Sequence, residues 1–178
     1  MNKHGFTLIE IIVVTSIIGL LMSLSLASFK DGSSGTLLES EAVEIKSVLK
    51  RAENNTQTGL QNLNQDSGGS YGIYFSTNTP KKYYFYLDKN KNKTYNLEEK
   101  IFEYSLNNAE IDGFSTSGEN LDILFYSENA DLYINGAILE NDLTINLKDK
   151  DNSFRYININ RFSKVIDITK WEIKKDLL

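Results

Sequence analysis

The sequence contains no cysteine, and this absence excludes disulfide bridges, thiolate metal sites and thiol nucleophiles. It has a single histidine, His4, close to the N-terminus. Ser-His-Asp and Cys-His chemistry and histidine-based metal sites are therefore not expected in the body of the chain. No pair of carboxylates stands out as a catalytic acid and base. We therefore expect no enzymatic activity.

Positive charge is in deficit, with 19 Lys and Arg against 24 Asp and Glu and a formal net charge of -5. Proteins that bind nucleic acid usually carry a basic footprint, so nucleic acid is not expected as the main partner. A small basic patch near the C-terminus consists of Lys170, Lys174 and Lys175 around Trp171. Acidic neighbours dilute it, and we interpret it as a solvated terminus rather than as a DNA contact.

The longest apolar stretch, residues 6–29, reads FTLIEIIVVTSIIGLLMSLSLASF and carries one charge, at Glu10. As a helix it is long enough to cross a hydrocarbon layer of roughly 30 Å. Lys3 precedes it. Because positive charge marks the cytoplasmic side, we expect the N-terminus in the cytoplasm, a single pass through the inner membrane, and an exported C-terminal domain.

A cleaved secretory signal is the alternative interpretation of this segment. Such a signal needs small residues in an A-x-A-like pattern after the apolar stretch, and Leu26-Ala27-Ser28 matches that pattern weakly. Glu10 is the second objection to it. A charge inside an apolar segment costs about 3 kcal/mol on insertion scales, so Glu10 requires a partner or a function.

Lys3-His4-Gly5 followed by Phe6-Thr7-Leu8-Ile9-Glu10 resembles the class III signal of type IV prepilins and type II secretion pseudopilins. The resemblance implies that a prepilin peptidase/methyltransferase removes residues 1–5 by cutting between Gly5 and Phe6, and then methylates the amine of Phe6. The helix stays in the product and enters a filament with other pilins or pseudopilins at an inner-membrane assembly platform. Glu10 would neutralise the new amine of a neighbouring subunit and set axial register.

Many type IV pilins carry a proline within the apolar helix, whereas residues 6–29 contain none. The sequence is thus compatible with a pseudopilin or a minor pilin. The main functional expectation is a structural subunit of a type IV pilus or a type II secretion pseudopilus. The alternative is a minor tip pilin that acts as a binding module for DNA uptake, adhesion or recognition of a secreted substrate. An exposed aromatic or basic patch in the folded domain would favour this alternative.

Residues 30–35, Lys-Asp-Gly-Ser-Ser-Gly, interrupt the helical pattern with two glycines, each costing about 1 kcal/mol relative to alanine inside a helix. We interpret them as a hinge or a stretch that melts when subunits pack, or equally as a plain linker, ahead of a globular domain at residues 36–178. An amphipathic helix is expected at residues 36–59. Its apolar stripe is Leu38, Ala42, Ile45, Leu49 and Ala52, while its charged residues, Glu41 among them, mostly occupy the other sides.

Short β-type runs come after the second helical segment. They are Tyr71–Ser76, Lys82–Asp88, Ile101–Ser105, Asp122–Ser127, Leu132–Asn135, Leu143–Leu147, Phe154–Ile159 and Lys164–Ile168. A long helix ahead of such strands predicts an α+β, pilin-like fold with the helix packed on antiparallel sheet. The aromatic strands ending at Asp88 and the closing pair 154–168 resemble the GspH/FimT-like subgroup. That subgroup usually has a glycine in the closing hairpin, which Asn160-Arg161-Phe162-Ser163 lacks.

One loop, residues 88–99, matches the spacing of a calcium loop of the EF-hand type. The ligands expected for calcium are the side chains of Asp88, Asn90, Asn92 and Glu99 and the carbonyl of Thr94. The position that should be glycine is Lys93, and three lysines alternate with the candidate ligands. The alternative is a bare Asn/Lys turn between strands, and both interpretations stay open. Apart from calcium, no cofactor is expected.

Overall fold

The structure is a computed structural model that describes residues 7–59, 69–129 and 131–170, with the backbone alone for residues 24–34. The chain divides into two units, Met1–Thr36 and Leu37–Leu178. Gly5 and Phe6, at the predicted cleavage point, lie outside the described residues. So do Trp171, Lys174 and Lys175 of the C-terminal basic patch.

Helix α1 spans Leu8–Gln57 without a break. The backbone of residues 30–35 is helical, and their predicted role as a hinge or a linker stays a prediction. A new helix would need a costly nucleus, whereas continuing an existing one costs only the modest penalty of each glycine. The helix ends just before Gly59, which has a φ of 61° that suits a glycine terminating a helix.

In residues 69–129 and 131–170, which the structure describes after the helix, there are ten strands. They are β1 (Ser70–Ser76), β2 (Lys82–Asp88), β3 (Lys100–Ser105), β4 (Glu110–Phe114), β5 (Asn120–Phe125), β6 (Leu132–Ile134), β7 (Ala137–Ile138), β8 (Leu143–Lys148), β9 (Phe154–Ile159) and β10 (Ile166–Lys170). A 3-10 turn, Leu97–Glu99, precedes β3. The strands form a six-stranded sheet in the order β3-β2-β1-β5-β6-β7 and a four-stranded sheet in the order β10-β9-β8-β4. Every pairing is antiparallel.

The core of the second unit lies where α1 meets the inner faces of both sheets. The predicted stripe of α1 is buried in full, and Val48 joins it. These side chains share one apolar cluster with inward residues such as Ile73 and Phe85 of the larger sheet and Ile145 and Ile157 of the smaller one. The α+β, pilin-like fold with a helix on antiparallel sheet is thus confirmed, with two sheets in place of one.

Glu41 is the exception to the amphipathic interpretation of the helix. Its side chain is buried rather than on a solvated side, with an exposed fraction of 7%. The carboxylate accepts hydrogen bonds from the backbone N–H groups of Asn107, Asn108 and Ala109 at 2.7 to 3.0 Å. It thereby fastens the turn between β3 and β4 to the helix. A period of 3.6 residues assigns faces but does not reveal such a partner.

Candidate functional site

The N-terminal unit begins with a reciprocal pair of hydrogen bonds between Thr7 and Glu10. The Thr7 hydroxyl accepts from the Glu10 N–H at 3.3 Å, and the Glu10 carboxylate accepts from the Thr7 N–H at 3.3 Å. This arrangement is a capping box, the S/T-x-x-E pattern at the start of a helix. The N–H groups of Thr7 and Glu10, at the start of the helix, therefore both donate to acceptors within the chain.

The capping box gives Glu10 a structural role that was not predicted from the sequence. The signal was present, since Thr7-Leu8-Ile9-Glu10 fits the pattern residue by residue. This role does not exclude the predicted pairing with an amine, because a carboxylate has two oxygens and room for several donors. The pairing itself involves Phe6 and stays a prediction.

The side chains beyond Glu10 are apolar and exposed. Large hydrophobic residues between Leu8 and Met22 have exposed fractions of 45% to 79%. Such a continuous apolar surface marks a site of contact with other protein or with membrane. In the part of the chain that the structure describes, no helix meets the length and hydropathy required of a membrane span.

The loop at residues 88–99 is held in shape by its own polar side chains. The Asp88 carboxylate accepts from the N–H groups of Asn92 and Lys93 at 3.2 and 3.0 Å. Asn90 Oδ1 accepts from Asn92 N–H, and Asn92 Oδ1 accepts from Thr94 N–H, both at 2.9 Å. Lys93, at the position of the expected glycine, has a φ of 65°. The loop thus adopts the left-handed backbone there without a glycine.

Glu99 closes the same loop from its far end. Its side chain is buried, and Oε1 accepts from the N–H groups of Lys89 and Asn90 at 3.0 and 3.3 Å. The predicted ligands Asp88 and Glu99 are therefore brought to one end of the loop. Their oxygens already accept from backbone N–H groups.

The loop also covers the outer face of the six-stranded sheet. The ring of Tyr95 stacks on Tyr74 at 4.5 Å between centroids and meets Tyr86 edge-on at 5.3 Å. The Lys93 ammonium lies 4.7 Å and 4.3 Å from the ring centroids of Tyr126 and Tyr133. Tyr86, Tyr126 and Tyr133 form, with Leu124, a second buried cluster. The aromatic character of β2 therefore serves sheet packing on both faces.

Asp122 of β5 anchors the loop, and the sequence patterns did not indicate this role. It is buried, with an exposed fraction of 5%, and accepts from Tyr86 Oη at 2.7 Å and from Tyr95 N–H at 2.6 Å. Burial raises its pKa to about 6, and the charges of Asp88 and Glu99 act in the same direction. Burial also raises the pKa of Asp88, although hydrogen bonds from the loop oppose the shift. A lone acid inside the apolar strand Leu121–Phe125 was the available signal.

Within residues 7–59, 69–129 and 131–170, no three or more acidic or histidine side chains are arranged to hold a metal ion. The carboxylates of Asp88, Glu99 and Asp122 are nevertheless all buried. Calcium binding by Asp88, Asn90, Asn92, Thr94 and Glu99 stays a prediction.

Comparison with protein families identifies one match. Residues 1–26 match the family model described as the prokaryotic N-terminal methylation motif, the class III signal of type IV pilins. The match covers the stretch from the leader into the apolar helix. No curated protein and no solved structure matches the chain. The GspH/FimT-like subgroup is not confirmed.

Proposed function

We propose that this chain, which carries the N-terminal methylation motif of type IV prepilins at residues 1–26, is a structural subunit of a type IV pilus or a type II secretion pseudopilus. In this proposal a prepilin peptidase/methyltransferase cleaves between Gly5 and Phe6 and methylates the amine of Phe6. The processed chain then leaves the inner membrane through an assembly platform and joins a filament of pilins or pseudopilins.

The observation that supports the proposal most strongly is the motif together with the apolar helical surface found within it. A peptidase motif alone would suit any processed protein, but here an exposed apolar helical surface runs from Leu8 to Met22, inside the stretch that matches the motif. An apolar helix that lies in the membrane before assembly can bury the same surface against other helices afterwards. The α+β domain behind it agrees with a pilin-like subunit.

Glu10 is the residue on which the assembly step depends. After cleavage the amine of Phe6 is a cation at the start of an apolar helix, where an unpaired charge is costly. A carboxylate from a neighbouring subunit removes that cost only when the two helices have the correct axial offset. The pair therefore selects register more than it adds stability.

The capping box provides a control for this role. Glu10→Gln keeps an acceptor for the Thr7 N–H but removes the negative charge, whereas Glu10→Ala removes both. We expect both variants to be cleaved normally and both to lose at least tenfold in filament incorporation, measured in sheared filament fractions. Normal incorporation of Glu10→Gln with loss for Glu10→Ala would assign Glu10 to capping and end the charge-pairing role.

The binding-module alternative has one observation in its favour. Phe162 is exposed beside Arg161, whose guanidinium carbon lies 4.8 Å from the centroid of the ring. This is an aromatic and basic patch of the kind expected of a tip subunit. Counting subunits per filament separates the alternatives, because a tip pilin is present once whereas a shaft subunit repeats along the filament.

A further inference from the structure

The pattern Asn-x-Ser/Thr, in which x is not proline, marks acceptors of N-linked sugars in surface loops of exported proteins. The sequence contains this pattern twice, as Asn54-Asn55-Thr56 and as Asn92-Lys93-Thr94. We call the first the helix sequon and the second the loop sequon. Because so short a pattern arises easily by chance, the surroundings of each asparagine decide whether it can be an acceptor.

The helix sequon lies in the last turns of α1 and is closed to an enzyme in the folded domain. The Thr56 side chain is buried. Its hydroxyl donates to the Ala52 carbonyl at 2.9 Å and accepts from the Tyr71 N–H at 3.0 Å. A transferase that must reach the threonine as well as the asparagine therefore cannot engage this copy of the pattern.

The loop sequon lies at the surface, between β2 and β3. Asn92 is exposed, and the backbone turns sharply on both sides of it, with φ of 58° at Lys91 and 65° at Lys93. The ammonium groups of these two lysines donate to Glu128 Oε1 and to Tyr133 Oη, both at 3.1 Å. The flanking side chains thus have partners of their own, and Asn92 between them stays open to solvent.

Within the loop sequon the asparagine and the threonine are already in contact. Asn92 Oδ1 accepts from the Thr94 N–H at 2.9 Å and from the Thr94 hydroxyl at 3.1 Å. An asparagine that bonds to the backbone two residues further on forms a turn that suits an exposed loop. In the residues that the structure describes, no hydrogen bond engages Asn92 Nδ2. The oxygen of the carboxamide is therefore fixed, while its nitrogen is available.

We propose that Asn92 is the acceptor of an N-linked sugar, and that Thr94 is the residue by which a transferase selects it. The co-reactant is a sugar carried on a polyprenyl pyrophosphate. When Nδ2 attacks C1 of that sugar, the Nδ2–C1 bond forms and the bond between C1 and the pyrophosphate oxygen breaks. One amide proton passes to a base of the enzyme, and the lipid pyrophosphate leaves. Oδ1 is not consumed, so its hydrogen bonds to Thr94 persist in the product.

Mass spectrometry of the full-length chain tests the proposal. The chain is purified from the cells that make it naturally and digested, and the peptides that contain Asn92 and Asn54 are compared. We expect the Asn92 peptide to carry the mass of a sugar and the Asn54 peptide to be unmodified. A bare Asn92 peptide, or equal modification of the two asparagines, would overturn the proposal.

Variants of the loop sequon test the role of each atom. Asn92→Asp keeps an acceptor for the Thr94 N–H but has no Nδ2, and Thr94→Ala removes the hydroxyl while keeping the backbone hydrogen bond of the loop. We expect both variants to lose the sugar mass. Thr94→Ser keeps a hydroxyl and should retain the sugar, and so should Asn54→Gln, the control in the helix sequon. A sugar that persists in Thr94→Ala, or that is lost in Thr94→Ser, would contradict the role of the hydroxyl and with it the proposal.

The inference rests on one part of the proposed function, the export of the domain, because the pattern serves as an acceptor in exported proteins. The same digest separates the two, since it also yields the N-terminal peptide. A chain that starts at Phe6 with a bare Asn92 would overturn the glycosylation and leave the pilin assignment intact. A chain that still starts at Met1 with a sugar on Asn92 would support the glycosylation and overturn the processing.

Discussion

Glu41 is an acidic side chain that lies inside the protein and still has a clear energetic role. It accepts from three backbone N–H groups and from the side-chain amide of Asn108 at 3.1 Å. Those donors lie in the tight turn between β3 and β4, where no strand partner can satisfy them. Removing the carboxylate would leave the N–H of buried Ala109 without an acceptor and would break the bonds from the more exposed Asn107 and Asn108, which costs more than losing one exposed hydrogen bond.

We expect Glu41→Ala to lower the free energy of unfolding by about 3 kcal/mol, from lost charge-assisted hydrogen bonds and unsatisfied donors. Urea unfolding of the full chain in detergent, followed by the near-ultraviolet circular dichroism of its tyrosines, measures this change. Glu44→Ala is the matched control, since Glu44 is exposed one turn away on the same helix. The control should change stability by less than about 0.5 kcal/mol. Equal effects of the two substitutions would remove the role of the buried carboxylate.

Asp122 makes the stability of the domain depend on pH. Burial holds its folded-state pKa at about 6, above the ordinary value of 3.8. Between these values the folded state binds more protons than the unfolded state, so stability falls as pH rises. The stabilising contribution is complete below about pH 4 and is lost as pH rises through about 6. Across this window the free energy of unfolding falls by roughly 3 kcal/mol, because the folded-state and unfolded-state pKa values differ by about 2.

We therefore expect the melting temperature to fall between pH 5 and pH 7.5, and Asp122→Asn to flatten this fall. The asparagine carbonyl can accept from the Tyr95 N–H of the loop, and its amide can donate to the Tyr86 oxygen of β2, so both hydrogen bonds are kept. Thermal unfolding of both proteins across this range is the measurement. A variant that keeps the full pH dependence would assign it to other groups.

Among the elements, the loop at residues 88–99 shows how one segment combines two roles. Its polar side chains accept hydrogen bonds from the loop backbone, while Tyr95 and Lys93 pack on aromatic rings of the outer face of the sheet. A cation at the loop would offset the charges of Asp88 and Glu99 that hydrogen bonding leaves partly uncompensated. Stabilisation by calcium and destabilisation by rising pH would then share one electrostatic cause.

If calcium binds this loop, its affinity should be in the millimolar range typical of weak extracellular sites. We expect the melting temperature at pH 7.5 to rise by a few degrees in several millimolar calcium, because binding to the folded state alone stabilises it. Asp88→Asn should abolish the rise, while Asp151→Asn, in the β8–β9 turn, should not. An unchanged melting temperature would leave the loop as a turn held by its own hydrogen bonds.

The strands show what alternation can and cannot predict. Lys82–Asp88 and Phe154–Ile159 are predicted to the residue, the first because it is a run of aromatic side chains and the second because apolar and polar side chains alternate along much of it. Strand β4 was missed, since Asp112 and Gly113 are poor strand formers and the register shifts beside them. Strand β7 was also missed, although Asn135-Gly136, with φ of 50° and 82°, is a strong hairpin signal.

The last hairpin illustrates a second limit of predicting strand bounds from the sequence. The final strand begins at Ile166, two residues later than predicted, because Asn160 closes a longer turn in which Lys164 takes a φ of 54°. No glycine marks that turn. Side-chain hydrogen bonds that substitute for glycine, here and at Lys93, are the feature that sequence patterns did not anticipate.

For the molecule as a whole, the sequence describes the N-terminal motif, which the family comparison confirms, more completely than the contacts of the domain. The leader, the apolar helix and Glu10 are local in sequence, so a motif describes them without a fold. The roles of Asp122 and Glu41 depend on residues far apart in the chain. Such contacts become visible only when the sheets are assembled, and they concern the domain rather than its processing.

The central claim is that the chain is a prepilin whose mature form begins at Phe6. Mass spectrometry of the N-terminal peptide, from a cell with an active prepilin peptidase, tests it most directly. We expect a peptide that starts at Phe6 and carries one methyl group on its amine. A mature chain that still begins at Met1, or one cut near Ala27, would contradict the claim.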